Sequence, residues 1–227
     1  MIVNVHVVST VKLADALRGR AGFAEDLIRA LAPRYGARVL DSSLAEATRL
    51  EALAAGLLLL DVYGVDTDEC LSIGPAGKPY LLDGTVSISI SHGGSCCVVA
   101  SAPGIDGDLG VDVEPVDGFN RLVAHRVFPV ETCEWIEAAD EGPVRAGRFV
   151  RAWTGLEAIL KAEGTGFERD PRTEGIPDGW HVAHIAWHGH CIAVATAAPT
   201  SIELIDHDPA DLMARAIECR RDGREGD

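Results

Sequence analysis

Apolar positions along the chain alternate between two periods. Residues 1–8, MIVNVHVV, alternate and are rich in valine, which predicts a strand. From 11 to 32 the apolar residues Leu13, Leu17, Phe23, Leu27, Ile28 and Leu31 step at helical spacing, and Pro33 is expected to end that helix. Residues 43–62, with Leu44, Leu50, Leu53, Leu57 and Leu60, predict a long buried helix. The Gly/Pro-rich section around GPAGKPYLLDG reads as loop and short strand. Residues 87–102, SISISHGGSCCVVASA, set two β-rich runs around a His-Gly-Gly turn, which predicts a hairpin. Residues 181–199, HVAHIAWHGHCIAVATAAP, do the same around His-Gly, with His188 lying 96 residues after His92 (188 − 92). Helices followed by a terminal hairpin, twice, predict an α+β fold built from a duplicated unit. The expected division is an N-terminal half 1–105, a C-terminal half 106–200, and a tail 201–227 made of one helix from 209 to 221 and a frayed end. The boundary falls in the Gly-, Pro- and Asp-rich stretch APGIDGDLG, 102–110.

The alternation also places chemistry. In LGVDVEP, 109–115, strand geometry puts Asp112 and Glu114 on one face and Val111 and Val113 on the other. Two adjacent carboxylates repel unless a cation sits between them, and hard oxygen donors suit Mg²⁺. A solvated acidic edge strand is the other reading. In WTGLEAILKAEGTG, 153–166, the stripe Phe149, Trp153, Leu156 and Leu160 faces a core, and Glu157 and Lys161 sit together on its shoulder. They form either a rim ion pair worth a few tenths of a kcal/mol or an acid and a base pointing into a cleft. Glu157 would then be a third carboxylate beside Asp112 and Glu114, with Lys161 facing substrate oxygen. GKPYL offers Lys78 in a turn. SISISHGG offers Ser91 and His92 at the mouth of a hairpin, where His92 binds phosphate or caps the turn. The cluster His181, His184, His188 and His190 invites zinc, but zinc needs three or four convergent ligands and strand alternation turns His181 away.

Charge narrows the partners. With 20 Lys and Arg against 35 Asp and Glu, the net charge is −15. Nucleic acid and anionic membrane are repelled, and a phosphate ligand needs a local base or metal. The six cysteines contain no C-x-x-C and read as reduced, mostly buried thiols. The N-terminus lacks the layout of a signal peptide, and the longest apolar run, LAAGLLLL, is too short to span a bilayer. The chain is expected to be cytoplasmic, with no membrane and no nucleic acid partner.

In order, GKPYL, SISISHGG, LGVDVEP and WTGLEAILKAEGTG resemble the 4′-phosphopantetheinyl transferases of the surfactin-synthetase-activating type, over roughly residues 44–167. The resemblance implies a monomeric pseudo-twofold pair of α/β units with the active site between the halves. It implies transfer of 4′-phosphopantetheine from coenzyme A to a serine of an apo acyl or peptidyl carrier protein, releasing adenosine 3′,5′-bisphosphate. By the same resemblance Asp112, Glu114 and Glu157 hold Mg²⁺, with Mn²⁺ as a substitute. Glu157, Lys161 and Asp112 form the catalytic set: Glu157 as general base, Lys161 on the transferring phosphate. Lys78, Ser91, His92 and Lys161 contact coenzyme A. The chain departs from the family pattern at Leu156, usually lysine, and at Glu51, usually arginine, leaving Arg49 as the nearby arginine for coenzyme A. RVFPVETCEW also puts Thr132 where the family has glutamate, with Glu131 one residue earlier. These losses of charge motivate an alternative, a member that binds coenzyme A or carrier protein with weak or no turnover. Since carrier proteins are typically acidic, recognition is expected to use apolar contact through Phe119, Leu122, Val127 and Phe128.

Overall fold

The structure is a computed structural model, and it describes residues 1–74, 77–84, 86–103, 109–166 and 170–222. In chain order the elements begin β1 (Ile2–Ser9), α1 (Thr10–Leu17), α2 (Ala21–Ala30), α3 (Pro33–Leu40) and α4 (Glu46–Tyr63). Two short strands, β2 (Leu71–Ile73) and β3 (Pro79–Leu81), precede the hairpin β4 (Val86–Gly93) and β5 (Cys96–Pro103). Then come β6 (Leu109–Pro115), α5 (Arg121–Val127), α6 (Val130–Glu137), α7 (Pro143–Glu163) and α8 (Pro171–Glu174). The chain finishes with β7 (His181–Trp187), β8 (His190–Thr196), β9 (Ser201–His207) and α9 (Pro209–Asp222).

The duplication is visible in the sheets. β1 pairs antiparallel with β5, and β5 with β4; β6 pairs antiparallel with β8, and β8 with β7. In each half the strand that opens the unit pairs with the second strand of the closing hairpin. The mixed α/β architecture is thus the expected one. The boundary placed at 105/106 lies outside the described residues. Both sheets bury one face against the other: Val3, Val5, Val7, Cys96, Val98 and Ala100 meet Val111, Val113, Ile192 and Val194 in one apolar layer. Helices cover the outer faces. α4 is buried at every position from Ala52 to Leu60, as an apolar helix sunk in a core must be. It stops at Gly64, whose left-handed φ of 65° lets its N–H return to Leu60 O.

Three expectations need correcting. The stretch 11–32 is not one helix, because the chain breaks after Leu17, with Gly19 at φ 77°. Pro33 starts a helix rather than ending one: it occupies the first turn of α3, where its missing N–H costs no hydrogen bond. The tail is not helix alone. Residues 201–207 form β9, which runs parallel to β1 and extends the N-terminal sheet to the order β4-β5-β1-β9. The chain end thereby returns to the half where it began, and Leu212, Met213 and Ala216 of α9 enter the N-terminal core.

Candidate functional site

Strand alternation sets the first side chains. Val111 and Val113 point into the layer between the sheets, so Asp112 and Glu114 point the other way, toward α7. α7 lies unusually close because β6 carries Gly110: a Cβ there would clash with Ala158 O of α7. Gly93 does the same for β4, where a Cβ would clash with Val113 O. The two glycines bring β4, β6 and α7 together, one element from the N-terminal half and two from the C-terminal half.

At that junction Lys161 Nζ donates to Asp112 Oδ1 at 2.7 Å and to Ser91 Oγ at 2.8 Å, and Ser91 Oγ donates to the same Asp112 oxygen at 2.8 Å. Ser91 and Asp112 are buried. Asp112 Oδ2 is buried with no hydrogen-bond partner. A buried carboxylate oxygen without a donor is a costly state. Glu157 is half-buried, and burial, then the Asp112 carboxylate, push its pKa up to about 7, with Lys161 opposing and Glu114 adding to the rise. Glu114 is also raised, by burial and then by Asp112. Burial and the neighbouring carboxylates therefore disfavour the charge on both glutamates. Among the described residues they are not drawn into a group that could hold a metal as they stand; Lys161 supplies a positive charge bonded to Asp112. The orphaned Asp112 oxygen and the raised Glu157 and Glu114 fit a hard divalent cation, whose charge would relieve all three. A cavity of about 170 Å³ opens beside them, lined by Lys78, Ser89, Ile90, Glu157 and Lys161 among others, so it lies between the halves.

Other expected residues lie elsewhere or are engaged. Lys78 lines the cavity, but its ammonium is buried and donates to Ala162 O at 2.9 Å, capping the last turn of α7. His92 faces the α4 side of β4, its Nδ1 3.2 Å from Glu51 Oε2. The carboxylate at the position where the resemblance leads one to expect arginine has thus taken the histidine as its partner. Arg49 does not line the cavity. It borders a separate groove among α1, α2, α3 and α4, with its Nε buried and unpartnered. Leu156 is 1% exposed and packs with Phe128, Ile136 and Leu160, so position 156 faces the core and not the site. Of the four apolar residues expected to meet a partner, Phe128 is core, and Phe119 and Val127 pack against that core; Leu122, 84% exposed, stands out beside Arg121, His125 and Arg126.

The histidine cluster does not converge. His184 Nε2 meets Arg151 O, and His190 Nδ1 meets His188 O while its Nε2 accepts from Ser95 N–H. His190 therefore ties the two hairpins together. His188 at φ 42° and Gly189 at φ 79° form the tight turn between β7 and β8. The six cysteines are free thiols, and burial pushes Cys96 up to about 12. No described helix is long and apolar enough to cross a membrane.

Residues 108–211, which carry the carboxylate strand and α7, match the model of the 4′-phosphopantetheinyl transferase superfamily. A Haemophilus influenzae protein named "Putative 4′-phosphopantetheinyl transferase" is 28% identical over 111 residues, 45% of this chain and 44% of that protein. A Synechocystis protein of the same designation is 32% identical over 99 residues, 41% of this chain and 39% of its own length. The chain thus matches less than half the length of either relative.

Proposed function

From the match of residues 108–211 to the 4′-phosphopantetheinyl transferase superfamily, we propose that this chain transfers 4′-phosphopantetheine from coenzyme A to a serine of an apo acyl or peptidyl carrier protein. Transfer of this kind joins the serine oxygen to the pantetheine-bearing phosphorus and breaks the bond to the adenylate side of the pyrophosphate. The observation that carries the reading is the junction of Ser91, Asp112 and Lys161 beside a Glu157 whose pKa is raised to about 7.

Each residue has a physical task. Asp112, Glu114 and Glu157 are the groups that would hold Mg²⁺, or Mn²⁺ in its place, and the ion supplies charge neutralisation of the pyrophosphate. Lys161 adds a fixed positive charge at the mouth of the cavity, where it lowers the barrier most if it meets charge that grows in the transition state. Its stem lies in α7, and its head is held by Ser91 and Asp112, so its position is set before a ligand arrives. Glu157 lines the cavity beside Lys161, which places its carboxylate to accept the serine proton. Leu122 with Arg126, beside an Arg121 held by Glu137, gives an acidic carrier a local apolar and basic contact on a chain at −15.

A second reading is a member that binds its donor with weak turnover from coenzyme A. The Glu51–His92 pair favours it, since it occupies an imidazole that a ligand phosphate would use. Intact-protein mass spectrometry of apo carrier proteins, with coenzyme A and Mg²⁺, separates the two. Gain of one phosphopantetheine by any carrier supports transfer, and no gain on any of a broad panel rejects it.

A further inference from the structure

A second pocket adjoins the cavity. Ile90 of β4 lines both, and beyond it the second pocket is bounded by Arg34 and Arg38 of α3, Thr48 and Glu51 of α4, and His92. The two pockets meet at Ile90, so a donor long enough to extend out of the cavity could reach the second. Its charges are already arranged. Arg34 gives both its backbone N–H and its Nε to Asp68 Oδ1, at 3.1 and 3.2 Å. His92 is held by Glu51. Arg38 is exposed at the rim. The Glu51 side chain is only 18% exposed, so its carboxylate belongs to the pocket wall rather than to bulk solvent.

We propose that Glu51 makes this pocket a reader of an unphosphorylated ribose, so that the preferred donor is the 3′-dephospho form of coenzyme A. The proposal rests on the transferase reading above. A phosphate monoester entering here meets a carboxylate of like charge and finds His92 and Arg34 already paired. A ribose with free hydroxyls meets an acceptor that its O–H groups can donate to. Dinucleotide sites divide the same way, with a carboxylate for a ribose hydroxyl and an arginine for a ribose phosphate. The transfer balances without change elsewhere. The carrier serine oxygen bonds to the pantetheine-bearing phosphorus, its proton goes to Glu157, and the bridging P–O bond breaks with its electron pair going to the leaving group. That leaving group is adenosine 5′-monophosphate instead of adenosine 3′,5′-bisphosphate.

The test is calorimetry of the full chain with coenzyme A and with 3′-dephospho-coenzyme A, both with Mg²⁺, alongside carrier modification by each donor. The dephospho form is expected to bind at least about tenfold more tightly, the size of a single well-placed polar discrimination. Glu51→Gln narrows that ratio, and Glu51→Arg reverses it; circular dichroism confirms that both variants are folded. Equal or tighter binding of coenzyme A by the wild type overturns the proposal, as does a ratio that neither variant moves. Carrier modification with coenzyme A preferred overturns this proposal alone and leaves the transferase reading standing. A dephospho preference in binding without modification of any carrier supports Glu51 as the ribose reader but rejects transfer, and with it the donor role. Binding of neither donor overturns both.

Discussion

Lys161 Nζ lies 2.7 Å from Asp112 Oδ1, while Oδ2 of the same carboxylate is buried with no hydrogen-bond partner. One oxygen is fully served and the other is not served at all. With Ser91 bridging to both groups from β4, the ion pair also fastens the N-terminal half to the C-terminal half. The three side chains therefore tie the halves together, and the proposed chemistry would draw on the same set.

Lys161→Met should lower transfer by about 10²–10³, the range found when one preorganised charge-stabilising donor is lost. It should also destabilise the protein, because Asp112 is left buried without its counter-ion; breaking such a pair costs up to about 3–5 kcal/mol when both members are buried, and less here because Lys161 is about a third exposed. Lys161→Arg should recover most of the stability. Thermal unfolding and single-turnover transfer check both, and an unchanged melting temperature in Lys161→Met would contradict the structural part.

Glu157 makes an opposite prediction. Its pKa is raised from 4.5 to about 7, so the folded state holds a proton that the unfolded state has lost across that interval. The folded state is favoured by this group below pH 4.5, and that advantage disappears as pH rises through 7. Without metal, Glu157→Gln should then be more stable than wild type at pH 8, by about 1 kcal/mol after allowance for solvent screening, or roughly 2–4 °C. The difference should vanish near pH 4.5. Added Mg²⁺ should raise the wild-type melting temperature more at pH 8 than at pH 6, and should do little for Glu157→Gln. A less stable Glu157→Gln at pH 8 would contradict the picture of crowded carboxylates.

Leu156→Lys should not restore function. Leu156 is 1% exposed and packed against Phe128 and Ile136. A lysine there loses that packing and buries a charge, at a cost of about 3–5 kcal/mol. Denaturant unfolding measures the loss. A stable Leu156→Lys variant with faster transfer would show that position 156 reaches the site.

How much of this was legible in the sequence depended on distance along the chain. Alternation in LGVDVEP gave the correct faces for Val111, Asp112, Val113 and Glu114, because strand geometry is local. The helix stripe placed Leu156 in the core for the same reason. Both hairpins could be read from turn chemistry. Long-range facts left no local mark. β9 pairs with β1 across some 200 residues, and its alternation in SIELIDH was masked by acidic residues. The Glu51–His92 pair and the Lys78 cap on Ala162 O join segments 41 and 84 residues apart. The helix break after Leu17 had a local signal in Arg18-Gly19, but the helical spacing of apolar residues continued past it.

A further pair hidden from the sequence joins β1 to β9. His6 of β1 and His207 of β9 share a 2.9 Å hydrogen bond between Nδ1 and Nε2, which requires one nitrogen to be unprotonated. Burial, then His207, lower His6 to about 4, and Asp61 opposes. His207 is lowered too, chiefly by burial. A histidine lowered in the folded state contributes stability that is complete above 6.5 and is lost as pH falls toward 4. The loss should amount to about 3 kcal/mol at most. His6→Gln should flatten the fall in melting temperature between pH 6.5 and 4; an unaltered slope would contradict this.

The central claim is that Glu157, with Asp112 and Lys161, carries phosphopantetheine transfer to a carrier protein. Intact mass of an apo carrier panel, incubated with Mg²⁺ and either donor form, tests it most directly when wild type and Glu157→Ala are run side by side. The account predicts gain of one phosphopantetheine by at least one carrier with the wild type, and at least a hundredfold slower gain with Glu157→Ala, in the range of a lost general base. Equal modification by both proteins, or none by the wild type on any carrier, would contradict it.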